Sequence, residues 1–260
     1  MAAPVTQHGI AIDALGLSGA DAIRWAGEAR FRGVQLSALV PGMRSFELDQ
    51  GGRRGVRAAL AAADVAACGI DFLIPRADWS DASRVSRVVD AFRSAVELSV
   101  AVGRCPIAVS LPELDPTGAA LACVECGDHA GVRLIHLTPV EPAPEWLADR
   151  RESISIGLET ASALAGCHDP LDRIVAIGAR LGQLRMSDVD RSGRKGPPGV
   201  LAGGRLDWRG CLLAASLAPS HPVALLDPSG WDDPRHGALE SARSMRWLAE
   251  ASAPSRRHTG

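Results

Sequence analysis

The run Ile154-Ser155-Ile156-Gly157-Leu158-Glu159-Thr160-Ala161-Ser162, then Gly166 and Asp169-Pro170, then Gln183-Leu184-Arg185-Met186-Ser187-Asp188, decides how this chain is read. A short apolar run ends on a carboxylate. A helix-length segment opened by Asp-Pro follows, and a second short run ends on polar and charged residues. Strands alternating in this way with helical segments imply parallel βα units.

The same alternation extends in both directions. Upstream, strands are predicted at 9–13, 33–37, 65–74, 106–111 and 132–137; downstream, one is predicted at 223–227. Helices are expected at 18–29, 53–63, 81–102, from Pro116 onward, at 145–150, 169–181, 208–217 and 233–251. The 81–102 segment places Val85, Val88, Val89, Phe92, Val96 and Val100 near the helical period. Residues 191–204 are rich in glycine, proline and basic side chains and read as a mobile loop. Eight strands and eight helices predict a closed (β/α)8 barrel spanning residues 1–251, with a polar tail at 252–260. The length of 260 residues is close to the roughly 250 typical of that architecture. An open doubly wound sheet is the alternative, but no Gly-x-Gly-x-x-Gly follows the first strand.

Composition narrows the function classes. A formal net charge of −2 offers no general attraction to nucleic acid or to an anionic membrane. The N-terminal residues lack a basic region followed by a long apolar run, and no apolar stretch is long enough to span a bilayer, so a cytoplasmic protein is expected. The six cysteines are scattered. Cys123 and Cys126 form a CxxC with no second pair to complete a zinc site, and structural use is expected. No nucleotide-binding signature is present. A small-molecule substrate is the expected partner, and a homo-oligomer is compatible with the sequence.

Several segments carry a resemblance. Residues 29–36 (ARFRGVQL) resemble a GF-x-G-V-E-L second strand, and Gly131-Val132-Arg133-Leu134-Ile135-His136 is similar to a G-V-x-L-x-x-E fifth strand. Gly157-Leu158-Glu159-Thr160-Ala161-Ser162 with Gly166 and Asp169-Pro170 resembles D-T-x-H … G-x-D-P. Leu184-Arg185-Met186-Ser187-Asp188 is similar to V-H-L-K-D, and residues 198–208 resemble a P-G-x-G-x-x-D-W loop. Together, from Gly9 to Ala249, they resemble the sugar phosphate isomerase/epimerase family of xylose isomerase-like TIM barrels.

The resemblance implies one divalent metal at the C-terminal mouth, polarising a sugar carbonyl, with carboxylates exchanging protons on the neighbouring carbon. The positions implied as catalytic are His136, Glu159, Arg185 and Asp227. Arg185 stands where the family places a histidine ligand, and a guanidinium has no free lone pair for a metal. Two readings stay open. Either His136, Glu159 and Asp227 bind a metal with Asp188 or water completing the shell, or Arg185 supplies the positive charge itself, pairing with Glu159 or Asp227 or receiving an anionic substrate group. Gln35, Asp188, Arg191, Arg194 and Lys195 are candidate substrate contacts. Bland roles compete: a hydrogen-bonded core histidine at 136, an Arg185–Glu159 structural pair, turns at Asp188 and Asp227, a solvated basic loop, and packing for Trp208 and Trp231.

The leading functional expectation is an isomerase or epimerase, or a related lyase, acting on a small polyhydroxylated carbonyl compound. A catalytically inactive or metal-free small-molecule-binding barrel is the alternative. A DNA-repair nuclease on the same barrel is disfavoured by the negative charge and by the scarcity of histidines at strand ends.

Overall fold

The computed structural model describes residues 8–138, 146 and 154–251, with side chains described as far as Met245. Eight parallel strands close into one barrel: β1 (His8–Ala11), β2 (Gly33–Ser37), β3 (Ala66–Phe72), β4 (Ile107–Val109), β5 (Leu134–Thr138), β6 (Ile154–Glu159), β7 (Leu181–Met186) and β10 (Val223–Leu226). The order around the barrel is β1-β10-β7-β6-β5-β4-β3-β2. A separate antiparallel hairpin, β8 (Asp188–Val189) with β9 (Lys195–Gly196), follows β7. The closed barrel is the architecture that the alternation of short and long apolar segments predicts.

The helices are α1 (Gly19–Glu28), α2 (Gln50–Ala62), α3 (Arg76–Ser80), α4 (Val85–Ala101), α5 (Ala119–Ala130), α6 (Thr160–Ala165), α7 (Pro170–Ile177), α8 (Trp208–Leu217) and α9 (Pro234–Ala251). Their starts are written in the sequence. Ser18, Asp49, Asp169 and Asp207 each accept a first-turn backbone N–H, which satisfies a donor the helix cannot pair internally. Pro170 at the first position of α7 lacks that donor altogether.

Several boundaries differ from expectation for identifiable reasons. The helix expected at 81–102 begins at Val85 instead, because the Asp81 carboxylate accepts from the Ser83 N–H and Oγ and forms a turn between α3 and α4. The segment 169–181 ends early at Gly178, whose φ of 56° leaves the helical region. Residues 191–204, read as a mobile loop, include β9, the second strand of the hairpin. Asp190 Oδ1 accepts from the Ser192 and Arg194 N–H groups and closes the hairpin. The helix expected at 145–150 lies outside the described residues except for Trp146, whose Nε1 donates to the Pro112 carbonyl at 3.1 Å. The tail at 252–260 lies outside them as well.

The main core sits between barrel and helices. Phe72 on β3 points outward and meets Trp79 of α3 and Phe92 of α4, with ring centroids 6.4 and 5.2 Å away in edge-on geometry. Side chains alternate faces along a strand, so Asp71 beside Phe72 points into the barrel. No described helix is long and apolar enough to cross a membrane. Burial pushes the Cys105 and Cys211 thiols up to about 12, which leaves them protonated at neutral pH.

Candidate active site at the barrel mouth

Strand register fixes which candidates share the mouth. Arg185 on β7 pairs in register with Glu159 on β6 and with Leu225 on β10. Asp71 pairs with Ala108, Ala108 with Ile135, and Ile135 with Ser155. Parallel neighbours in register face the same side. Asp71, Ile135, Glu159 and Arg185 therefore point inward, and Asp227 follows Leu225 at the next inward position.

His136 does not join them. It pairs with Val109 and Ile156, on the outward set with Phe72, and is 4% exposed. Its Nδ1 accepts the Leu111 N–H at 3.2 Å. The expectation of a catalytic or metal-binding His136 is corrected on this point: the inward residue of β5 is Leu137, one position on. A slip of one residue exchanges the two faces of a strand. Gly157, in register with Leu137, leaves room for that side chain.

Arg185 is the centre of the site. It is 4% exposed, and its Nη1 donates to Asp71 Oδ1 at 2.8 Å and Oδ2 at 2.9 Å, while its Nε donates to Asp227 Oδ2 at 3.0 Å. Its Nη2 has no hydrogen-bond partner among the described residues. Of the two carboxylate partners weighed for it in the sequence, Asp227 is engaged and Glu159 bonds elsewhere. Lys195 Nζ donates to Glu159 Oε1 at 2.5 Å, and Ser162 Oγ donates to Oε2 at 2.7 Å. Both members of the Lys195–Glu159 pair remain partly exposed.

Two acidic residues went unmarked in the sequence reading. Asp71 is a buried charge within the apolar run Gly69-Ile70-Asp71-Phe72, and that interruption was the available signal. Asp13 lies just past β1 and carried no signal beyond its place. It is exposed at the rim, yet protein surrounds its carboxyl on most sides. Desolvation, followed by the Asp227 charge, raises its pKa.

Beneath Arg185 runs a polar chain. Gln35 Nε2 donates to Asp71 Oδ1 at 2.7 Å, and Gln183 Nε2 donates to Gln35 Oε1 at 3.1 Å. Gly69, in register with Gln35, has no Cβ because the Gln35 amide occupies that space. Gln35 is thus a support for Asp71 deep in the barrel.

The charges respond to this packing. Burial pushes the Asp71 carboxyl up to about 6, with Arg185 acting in the opposite direction. Desolvation also opposes ionisation of Asp227, but Arg185 and the Ser229 groups outweigh it and hold its pKa below the ordinary value. Burial works against the Arg185 cation, yet Asp71 and Asp227 more than compensate and keep it charged.

The loop candidates separate. Lys195 alone reaches the mouth. Arg194 pairs with Asp190 and Asp232 at 3.2 and 3.4 Å, and Arg191 is exposed. Asp188 is 3% exposed, and its Oδ1 accepts the Val189, Arg205 and Leu206 N–H groups at 2.7, 2.7 and 2.9 Å. It fastens the 204–206 segment to the end of β7. Trp208 and Trp231 are buried, and Trp231 Nε1 donates to Ser187 Oγ at 3.1 Å.

These residues do not fit the divalent metal that the resemblance implies. Strand β5 offers Leu137. Both Glu159 oxygens are engaged by Lys195 and Ser162, and Asp227 and Asp71 hold the Arg185 guanidinium. Among the described residues no group of three His, Cys, Asp or Glu side chains is arranged to hold an ion. The CxxC cysteines on α5 are both free.

No protein-family model matches the chain, and no curated protein matches it. Solved structures do match in fold. An L-ribulose 3-epimerase is 18% identical over 98% of this chain and 100% of its own, with a TM-score of 0.70. A xylose isomerase domain protein from Planctomyces limnophilus is 14% identical over 95% of this chain and 98% of its own, with a TM-score of 0.67. A probable 3-DHS dehydratase from Bacillus anthracis is 9% identical over 92% of this chain and 98% of its own, with a TM-score of 0.70. The chain shares the TIM-barrel fold of these structures.

Proposed function

We propose that this barrel is a sugar isomerase- or epimerase-like enzyme acting at its C-terminal mouth on a small polyhydroxylated carbonyl compound. One observation carries the reading. An immobilised guanidinium, one nitrogen of which has no partner among the described residues, lies beside an accessible carboxylate–ammonium pair; Arg185 and Glu159 stand near the ends of adjacent strands, where barrels of this class hold their catalytic groups, and Lys195 joins them from the β8–β9 hairpin. Arg185 Nη2 is available to a carbonyl oxygen. Glu159 is the base that takes the proton from the adjoining carbon; the electron pair moves to the carbonyl oxygen and gives an enediolate. Arg185 and Lys195 stabilise that oxyanion; for isomerisation the proton of the adjoining hydroxyl passes to it, leaving the new carbonyl, and Glu159 returns its proton to the former carbonyl carbon. Fixed donors aimed at developing charge need no reorganisation during the step. Asp71 and Asp227 orient Arg185. A related lyase would use the same proton abstraction.

The fold neighbours named as an epimerase and a dehydratase support this class of chemistry. A second reading, a binding barrel without turnover, is favoured by the outward His136 and by the ion pairs that engage Arg185. Incubation with a panel of ketoses, aldoses and cyclitol ketones in deuterated water separates the two. Isomer formation with deuterium at the reacting carbon supports the enzyme. Saturable binding with neither new isomer nor exchange supports the binding barrel.

A further inference from the structure

The mouth already contains a cation, and the protein supplies it. We infer that Arg185 takes the place of the divalent ion, making this a metal-independent version of the barrel; the inference rests on reading the mouth as the active site. Three features converge on it. Asp71 and Asp227 grip the guanidinium from β3 and from the end of β10, and Asp13 adds a third negative charge nearby. Leu137 removes a donor from β5, and Lys195 and Ser162 occupy Glu159. Arg185, although almost wholly buried, leaves Nη2 unpartnered among the described residues.

A divalent ion gathers its ligands at about 2.0–2.2 Å around one point. A guanidinium instead presents its N–H groups in a planar fork, and the two carboxylates here are set for that fork. A second cation at the same place would be repelled by Arg185 and would compete for the same oxygens. The tethered cation cannot be chelated or exchanged, and it does not lose its proton near neutral pH. It offers an N–H donor where a metal offers an open coordination position. The ligand chemistry it suits is therefore a carbonyl or hydroxyl oxygen, because its positive charge is already matched by the carboxylates around it.

The test reads binding and stability, so it stands apart from any turnover panel. Full-length protein is titrated calorimetrically with Mn²⁺ and Mg²⁺, and Arg185→Ala is titrated with guanidinium chloride at concentrations too low to denature. The parent is expected to bind neither metal stoichiometrically. Arg185→Ala is expected to melt lower, to bind guanidinium about tenfold more tightly than the parent, and to regain part of the lost melting temperature. Adding Asp71→Asn should abolish that rescue. Stoichiometric Mn²⁺ binding by the parent, lost on Asp227→Asn, overturns the inference, as does an Arg185→Ala protein that folds and ignores guanidinium. Should that variant not fold, Arg185→Lys keeps a tethered charge and is expected to fold without binding Mn²⁺; stoichiometric binding there also overturns it.

Discussion

Arg185 on β7 reaches across the barrel to Asp71 on β3, with Nη1 2.8 and 2.9 Å from the two carboxylate oxygens. In the closed order of eight strands these two lie diametrically opposite, four strands apart in either direction. The contact ties the two halves of the barrel together through its interior.

Breaking that tie should be costly. Removing one partner leaves an uncompensated buried charge, a change worth about 3–5 kcal/mol. Urea unfolding of Arg185→Leu should show a loss of this size. In a double-mutant cycle Arg185→Leu and Asp71→Asn should be strongly non-additive. Additive effects would mean that the two side chains do not interact energetically.

The pH dependence has a defined sign. The Asp71 carboxyl is pushed from 3.8 to about 6 by burial. The unfolded chain therefore releases this proton at lower pH than the folded chain does. The stability it contributes is full below the unfolded value and is lost as pH rises through about 6. Asp13, also raised, acts in the same direction, while Asp227, lowered, acts at more acidic pH with the opposite sign. Urea titrations of Asp71→Asn and the parent should diverge in the variant's favour between about pH 4 and 6. Parallel curves across that window would contradict the assignment.

Glu159 and His136 should behave in opposite ways. On whichever substrate is turned over, Glu159→Gln should lower kcat about 10²–10⁴-fold, the usual worth of a general base, while the melting temperature changes little. His136→Leu should cost about 1–3 kcal/mol of stability by leaving the Leu111 N–H unsatisfied, with kcat unchanged. A collapse of kcat in His136→Leu at full stability would place the imidazole in the mouth after all.

Asp188 should matter through the loop it holds. Asp188→Ala strands the Val189, Arg205 and Leu206 N–H groups, at about 1–3 kcal/mol for a buried donor left unpaired. Limited proteolysis should then cut more rapidly within 190–206. An unchanged cleavage rate would show that the hairpin is held by other contacts.

The barrel was legible in the sequence because short apolar runs alternate with helix-length segments, with helix starts marked by Ser18 and by Asp169-Pro170. That Glu159, Arg185 and Asp227 lie near the ends of barrel strands was also readable, since each stands at or close to the end of an apolar run. Tertiary structure alone decided the rest. Whether His136 or Leu137 enters the mouth depends on a register of one residue, and a run that is apolar on both faces gives no alternation from which to read it. The partner of Arg185 that the sequence reading missed, Asp71, is 114 positions away on the opposite strand, a pairing set by barrel closure and by no local pattern. Asp13, just past β1, and Lys195, on the β8–β9 hairpin, approach the site from segments whose paths follow from packing. Sequence thus determined the scaffold and the chemical inventory of its strand ends. Closure of the sheet determined which charges meet, because only closure brings opposite strands within hydrogen-bonding distance.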